Sequence, residues 1–164
     1  GSMRKPVTAD YVNYAKLMCA LDNIASQSTA FIPADVHERI SDSYRLYLSL
    51  MYCEKPVVTG AFTIEAFEIM KDLQIAVRGS AEALADKPRA VFDVCPSPPL
   101  LWSDITCANL IDCARAGVPA ELVSMPLMGA TGPATVIGSA VQHAAECLSG
   151  ITIHQLAKPG SPNV

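Results

Sequence analysis

Short apolar segments typical of β-strands recur in this chain at intervals of about 31 residues. They begin near positions 29, 56, 89, 120 and 151, so the intervals are 27, 33, 31 and 31 residues. A helix-like segment fills each interval. A (β/α)8 barrel has roughly 250 residues in eight units, or about 31 residues per unit. The spacing therefore predicts an α/β fold, a partial (β/α)8 TIM barrel with about five βα units and a leading helix.

Local signals give the boundaries of these segments. The predicted strands are 29–33, 57–59, 90–94, 121–125 and 151–156. The predicted helices begin at Thr8, Asp35, Thr63, Ser80, Asp104 or Ser103, and Pro133. Asp35 and Glu38 have the spacing of a capping box. Gly79, Gly117 and Gly150 are predicted to end helices, because glycine readily adopts the left-handed conformation.

The length of 164 residues allows one domain with a sizeable core. Residues 1–3 resemble an expression scar with a start methionine, which leaves 4–164 as a single partial-barrel domain. A doubly wound sheet also fits the alternation of strands and helices, but neither a GxGxxG nor a Walker loop occurs. Five strands of a barrel leave two open edges. We therefore expect either part of a longer protein or a homo-oligomer that covers those edges.

Composition excludes several partners. The net charge is −4 and no run of four basic residues occurs, so no nucleic-acid partner is predicted. Residues 122–145 lack charge, but prolines, glycines, Gln142 and His143 interrupt them, so no membrane span is predicted.

No apolar leader follows the scar, which indicates a cytoplasmic protein. Six cysteines without a CxxC spacing predict reduced core thiols and no metal site.

Barrel enzymes place their active sites at the carboxyl ends of the strands. Ser97 follows the third predicted strand in a proline-flanked loop, where it could bind a polar substrate group or simply end a turn. Gly129 and Thr131 precede a predicted helix start at Pro133. Because helix N-termini attract anions, this turn either binds phosphate or is an ordinary strand-to-helix turn.

The last predicted strand holds His154 and Gln155, whose side chains would point to opposite faces. Cys95 is either a nucleophile or a small buried side chain, and no His–Asp partner for it is apparent. Lys158 is the only candidate Schiff-base lysine. The residues alone thus predict a small-molecule site at the strand ends, without naming a reaction.

Five segments together resemble the trimethylamine methyltransferase family of corrinoid-dependent enzymes. They are KPVVTGAF (55–62), CPSPPL (95–100), PLMGATGPAT (126–135), QHAAE (142–146) and QLAKPGSP (155–162). The resemblance implies a (β/α)8 barrel, in agreement with the strand spacing. It also implies transfer of a methyl group from a tertiary or quaternary amine, of the trimethylamine or glycine betaine type, to the Co(I) corrinoid of a partner protein.

By position, the resemblance implies that four residues line the substrate pocket: Ser97, Gly129, Thr131 and Gln155. It assigns no catalytic residue and no covalently bound cofactor, since the corrinoid (cobalamin) belongs to the partner protein. Family members are much longer than this chain, so we expect a part of such an enzyme. Two alternatives remain: a phosphate-ester lyase or aldolase-type barrel that uses the Gly129–Pro133 turn, and a non-catalytic, self-associating half-barrel.

Overall fold

The computed structural model describes residues 3–164, so Gly1 and Ser2 of the predicted scar lie outside it. Its contacts divide the chain into two compact units, Gly1–Val91 and Phe92–Val164. The single partial-barrel domain over 4–164 stays a prediction.

The elements alternate along the chain as the spacing predicts. The first unit contains α1 (Thr8–Ala20), β1 (Gln27–Ser28), a 3-10 turn (Glu38–Ile40), α2 (Ser41–Tyr52), β2 (Val57–Thr59), α3 (Ile64–Arg78) and α4 (Ala81–Asp86). Strand β3 (Ala90–Val94) begins in the first unit and ends in the second. The second unit then contains α5 (Asp104–Ala116), β4 (Ala120–Leu122) and α6 (Val136–Ala157).

The four strands form one sheet in the order β1-β2-β3-β4. β1 pairs in parallel with β2 and β3 in parallel with β4, where Asp93 lies opposite Glu121. The chain end also pairs with β4: Asn163 forms a parallel bridge to Ala120, and Val164 N donates to Ala120 O over 2.9 Å. The α/β class is confirmed, with four strands instead of about five, and the barrel stays a proposal.

Strand β3 shows how one face of the sheet is buried. Ala90, Phe92 and Val94 are buried, whereas Asp93 between them is exposed. Because side chains alternate across a strand, Asp93 and the buried residues lie on opposite faces. The face that carries Asp93 can therefore present polar groups while the other face packs into the core.

Several local signals are confirmed by the caps of the helices. The Thr63 side chain accepts a hydrogen bond from Ala66 N, and the Ser103 side chain accepts one from Thr106 N. Gly79 and Gly117 end α3 and α5 with φ of 95° and 71°. These positive angles favour glycine, which has no Cβ to clash with the following carbonyl.

The strand predicted at 151–156 is wrong, because α6 continues without a break to Ala157. Gly150, which we predicted to stop the helix, is a buried residue inside it. A Cβ there would lie 2.8 Å from Trp102 Cη2 and 2.9 Å from Leu122 Cδ2. The glycine therefore permits close packing against α6, and the β-branched run that follows it stays helical.

We predict that Gly150→Ala destabilises the second unit despite the better helix propensity of alanine. Overpacking costs about 1–3 kcal/mol, whereas alanine gains about 1 kcal/mol over glycine in a helix. Urea denaturation measures the net loss, which we expect to be about 1 kcal/mol. Thr152→Ala, at an exposed position of the same helix, is the control, and an equal effect at both sites would contradict the packing argument.

The predicted first residues of strand β1 and helix α2 are also wrong. β1 is Gln27–Ser28 instead of 29–33. Asp35 accepts a hydrogen bond from Thr8 N, and His37 caps the 3-10 turn, so no capping box opens α2. Asp35 and His37 thus each accept a hydrogen bond from an amide in the first turn of a helix, which has no carbonyl partner within that helix.

Helix α6 begins at Val136, three residues after the predicted start at Pro133. The Thr135 side chain caps it by accepting a hydrogen bond from Gly138 N over 3.1 Å. Among residues 3–164, no helix is both long and apolar enough to cross a membrane.

Candidate functional site

Two carboxylates lie side by side on the exposed face of the β3–β4 pair. Asp93 and Glu121 occupy partner positions in the parallel register. Although Asp93 as a whole is exposed, its carboxyl group is partly removed from water, and this partial burial, followed by the negative charge of Glu121, raises the pKa of Asp93. Burial raises the pKa of the Cys95 thiol, and the two carboxylates raise it further. This environment keeps Cys95 protonated, so it argues against Cys95 as a nucleophile.

The loop after β3 is closed by its own backbone. Ser97 N donates to Leu101 O over 2.7 Å, and Leu101 N donates back to Ser97 O over 3.1 Å. The peptide bond between Pro98 and Pro99 is cis, and Leu100 has a φ of 56°. Ser97 is exposed at the start of this loop, at the carboxyl end of β3 as predicted. Its role in binding substrate stays a prediction.

The glycine turn after β4 is also closed internally. Leu127 O accepts hydrogen bonds from Ala130, Thr131 and Gly132 N at 2.9–3.0 Å, and Gly129 N donates to Gly132 O over 3.0 Å. The Thr131 hydroxyl oxygen accepts from Leu127 N over 2.9 Å. The amides that would bind an anion are therefore already used, and the turn does not open the helix. This geometry disfavours the predicted phosphate site.

Glu146 joins these two loops, and sequence reasoning missed it. Its carboxylate is only 1% exposed, and it accepts hydrogen bonds from Leu100 N at 2.8 Å and Gln142 Nε2 at 2.9 Å, and one from the Ser124 hydroxyl. Burial disfavours its ionised form, but these three donors outweigh burial, so the pKa of Glu146 is lowered. We call Glu146, Gln142, Ser124 and the Leu100 amide the Glu146 network.

Gln142 extends the Glu146 network to the glycine turn. Its Nε2 also donates to Thr131 O over 2.8 Å. One buried carboxylate on α6 thus fixes the loop after β3, the end of β4 and the turn that follows β4. A signal was present in the sequence, since Glu146 is the first charged residue after a charge-free stretch of 122–145.

Gln155 is the fourth residue that we predict to line the pocket. It does not lie at a strand end, so its predicted position is wrong. It lies near the end of α6, where Nε2 donates to Ser161 O and Oε1 accepts from Gly160 N, both over 2.8 Å. Gln155 therefore holds the loop that follows α6. Lys158 follows α6 as its C-cap residue and contacts Arg115 O at 3.4 Å, so it is not a strand-end Schiff-base lysine.

His154 is fully buried beside Gln155, and its Nε2 has no hydrogen-bond partner among residues 3–164. Burial lowers the pKa of His154 below its ordinary value of 6.5. As the pH falls below 6.5, His154 therefore binds a proton more readily in the unfolded chain than in the folded chain. Stability contributed by neutral His154 is fully present above pH 6.5 and decreases as the pH falls from 6.5 toward the lower folded-state pKa.

We predict that the melting temperature of the chain decreases between pH 7 and pH 5.5, and that His154→Gln makes this decrease shallower. Calorimetry over this range measures the slope. Thr152→Ala, at an exposed position of the same helix, removes no titratable group and is the control, so it should keep the wild-type slope. Equal slopes for wild type and His154→Gln would show that His154 is not the group that titrates.

The first unit has its own polar network at the ends of β1 and β2. Arg45 is buried and donates to Thr29 O over 2.9 Å and to Asp42 Oδ1 over 2.7 Å. Asp42 Oδ2 accepts from Phe62 N over 2.7 Å, and the Arg45 guanidinium lies 5.1 Å from the Phe62 ring centre. This buried ion pair fixes the loop after β2. No cluster of three metal-binding side chains occurs in the described part of the chain.

Comparison with known proteins gives one consistent result. The family model described as "Trimethylamine methyltransferase (MTTB)" matches residues 1–164. The chain is 28% identical to trimethylamine methyltransferase MttB of Desulfitobacterium hafniense strain DCB-2 over 97% of this chain and 32% of that protein. It is 30% identical to glycine betaine methyltransferase of D. hafniense strain Y51, over 99% of this chain and 34% of that protein.

An archaeal relative shows a similar identity and a similar coverage. Trimethylamine methyltransferase MttB1 of Methanosarcina acetivorans is 32% identical over 93% of this chain and 29% of that protein. The chain thus spans about a third of the length of these curated relatives. Since the family model matches the whole chain, the resemblance of its motifs is confirmed, and the chain belongs to the trimethylamine methyltransferase family.

Proposed function

We propose that this chain is part of a methyltransferase that moves a methyl group from a tertiary or quaternary amine to the Co(I) corrinoid of a partner protein. The observation that carries the proposal is the family match over the full chain. The relatives named as trimethylamine and glycine betaine methyltransferases support an amine substrate. The corrinoid, its partner protein and a cytoplasmic location are parts of the same proposal.

The Asp93–Glu121 pair suits a cationic amine. The negative charge of Glu121 contributes to the raised pKa of Asp93, because the two neighbouring acids concentrate negative charge in one place. A methylammonium group is attracted to such a charge and needs no proton donor to bind. In this proposal the pair attracts and orients the amine, while the reacting methyl group points toward the corrinoid.

The loops that follow β3 and β4 expose apolar side chains, which suit contact with one face of a large apolar cofactor. Exposed side chains in the loops that follow β3 and β4 include Leu100, Leu101, Met125, Leu127 and Met128. Apolar groups exposed together at a surface indicate a binding site for an apolar partner. A Co(I) corrinoid supplies a strong nucleophile that accepts a methyl group without a catalytic base. The task left to this chain is to hold the two reactants in line and exclude water.

The two alternatives receive less support. A phosphate-ester enzyme would use the Gly129–Pro133 turn, but the amides of Gly129, Ala130, Thr131 and Gly132 are bonded within the turn. Lys158 does not lie at a strand end. Self-association through strand edges stays a prediction, and the pairing of Asn163 with Ala120 occupies part of the free edge of β4.

The test uses reduced cobalamin and a panel of methylated amines, with Co(I) absorbance as the readout. The complete reading frame, expressed beside this chain together with its corrinoid partner, should consume Co(I) with one amine. Consumption by this chain alone would show that the piece assembles a working site. No consumption by either protein, with the partner present, would overturn the methyltransferase proposal.

Substitution of the carboxylate pair tests its role in substrate binding directly. We predict that Asp93→Asn with Glu121→Gln raises the KM of the complete enzyme for its amine at least about tenfold, because about 1.4 kcal/mol of attraction is lost. Glu65→Gln, an exposed acid of the first unit, is the control. An unchanged KM in the double variant would remove the pair from the substrate site while leaving the family assignment intact.

A further inference from the structure

The outer face of α6 is apolar along its whole length. Among the 22 described residues of this helix, Glu146 is the only Asp, Glu, Lys or Arg, and it is buried with Gly150 and His154 on the inner side. The apolar side chains on the outer side are Ile137, Val141, Ala144, Ala145, Leu148 and Leu156. The four large ones among them are 61–80% exposed. Because a surface helix normally carries charged and polar residues toward solvent, this face indicates a contact surface.

The absence of charge restricts what the outer face of α6 can bind. Helices that bind membrane surfaces carry Lys or Arg beside their apolar side chains, and none of the described residues of α6 is Lys or Arg. A charged partner would find no opposite charge on this face. In a dimer with two-fold symmetry, each side chain near the axis meets the same surface of the other copy, so a face without charge avoids repulsion between like charges. A second copy of this chain therefore fits this face.

The large and small side chains of this face are complementary about its midpoint. If two copies of α6 lie antiparallel, with the two-fold axis midway between Ile137 and Leu156, these two residues from different copies lie opposite each other. Leu148 of one copy likewise lies opposite Ala145 of the other, because both are equidistant from the axis. A large side chain thus faces a small one at the centre of the pair, as in the ridges-into-grooves packing of helices.

We propose that the outer face of α6 binds the same face of a second copy of this chain in an antiparallel helix pair with two-fold symmetry. At about 1.5 Å per residue and about 10 Å in width, the 22 residues of α6 present a face of roughly 330 Å². Stable complexes bury about 800 Å² per partner. The pair is therefore reversible and depends on the protein concentration. Its residues are not those of the carboxylate pair, so it is independent of the proposed amine chemistry.

The test is sedimentation velocity of this chain from about 1 µM to about 1 mM, a range that detects weak association. We expect the chain to change from monomer to dimer as the concentration rises. Leu148→Glu should raise the dissociation constant at least about a hundredfold, because it places two unpaired carboxylates beside the axis. Val77→Glu, at an exposed apolar position of α3, is the matched control and should keep the wild-type dissociation constant. Far-UV circular dichroism verifies that both variants are folded.

Cross-linking tests the orientation of the pair without a buried charge. In the double variant Ile137→Cys with Leu156→Cys, mild oxidation should join position 137 of one copy to position 156 of the other, as peptide mapping by mass spectrometry would show. The two positions are too far apart on one helix to join within a copy. Links from 137 to 137 would indicate a parallel pair and overturn the proposal.

Two further outcomes would also overturn it. A wild-type chain that stays monomeric at every concentration would mean that another part of a longer polypeptide covers this face. A dimer that forms equally well in Leu148→Glu would mean that the copies associate through another surface, such as the strand edges.

Discussion

Arg45→Met is expected to destabilise the first unit by about 3–5 kcal/mol, which is the usual cost of leaving a buried charge without its partner. The substitution removes the donors to Thr29 O and Asp42 Oδ1, and Asp42 is itself only 5% exposed. Methionine fills most of the volume of the aliphatic part of arginine. The loss of stability therefore measures the contribution of the charge and its hydrogen bonds, not of packing. Urea denaturation followed by far-UV circular dichroism measures it.

A double variant tests whether the pair acts as a unit. Adding Asp42→Asn removes the orphaned charge while its oxygen still accepts from Phe62 N. The double variant should therefore be more stable than Arg45→Met alone. Lys71→Met breaks an ion pair of the same i,i+3 spacing in which Glu68 is exposed, and it should cost less than about 1 kcal/mol. Equal losses for Arg45→Met and Lys71→Met would contradict the role of burial.

Glu146→Ala is expected to destabilise the second unit by about 3 kcal/mol, because it leaves three donors without an acceptor and opens a cavity in α6. Glu146→Gln keeps the shape but loses the charge, and about 1–2 kcal/mol is expected. The most direct readout is hydrogen exchange at the Leu100 amide, which Glu146 binds at 2.8 Å. This amide should exchange faster in both variants.

The ionisation of Glu146 gives a second readout. Because its folded-state pKa is lowered from 4.5, its contribution to stability is present above pH 4.5 and is lost as the pH falls through the folded-state value. The Leu100 amide shift should follow that titration in the wild type and not in Glu146→Gln. Glu68→Gln is the control on an exposed carboxylate. A Leu100 amide that exchanges at the wild-type rate in both variants would exclude Glu146 as the residue that fixes this loop.

The candidate site could be located from the sequence only in part. Ser97, Gly129 and Thr131 follow β3 and β4 as predicted, because strand ends and turns are marked by local residues such as proline and glycine. Gln155 was misplaced together with the strand that was assigned to it. Glu146 was missed because a single acid in an apolar helix shows its importance only when the backbone amide of Leu100, 46 positions away, is seen to bind it.

Sequence signals alone were sufficient to predict the family, the α/β class, β2 and β3 at their observed boundaries, and the ends of α3 and α5. These depend on motifs or on signals within a few residues, such as the cap at Thr63 and the left-handed glycine at Gly79. The length of α6, by contrast, depends on packing between residues that are distant in sequence. There Trp102 and Leu122 pack directly on Gly150, and the helix continues through a segment whose β-branched residues favour a strand, because contacts distant in sequence outweigh local propensity.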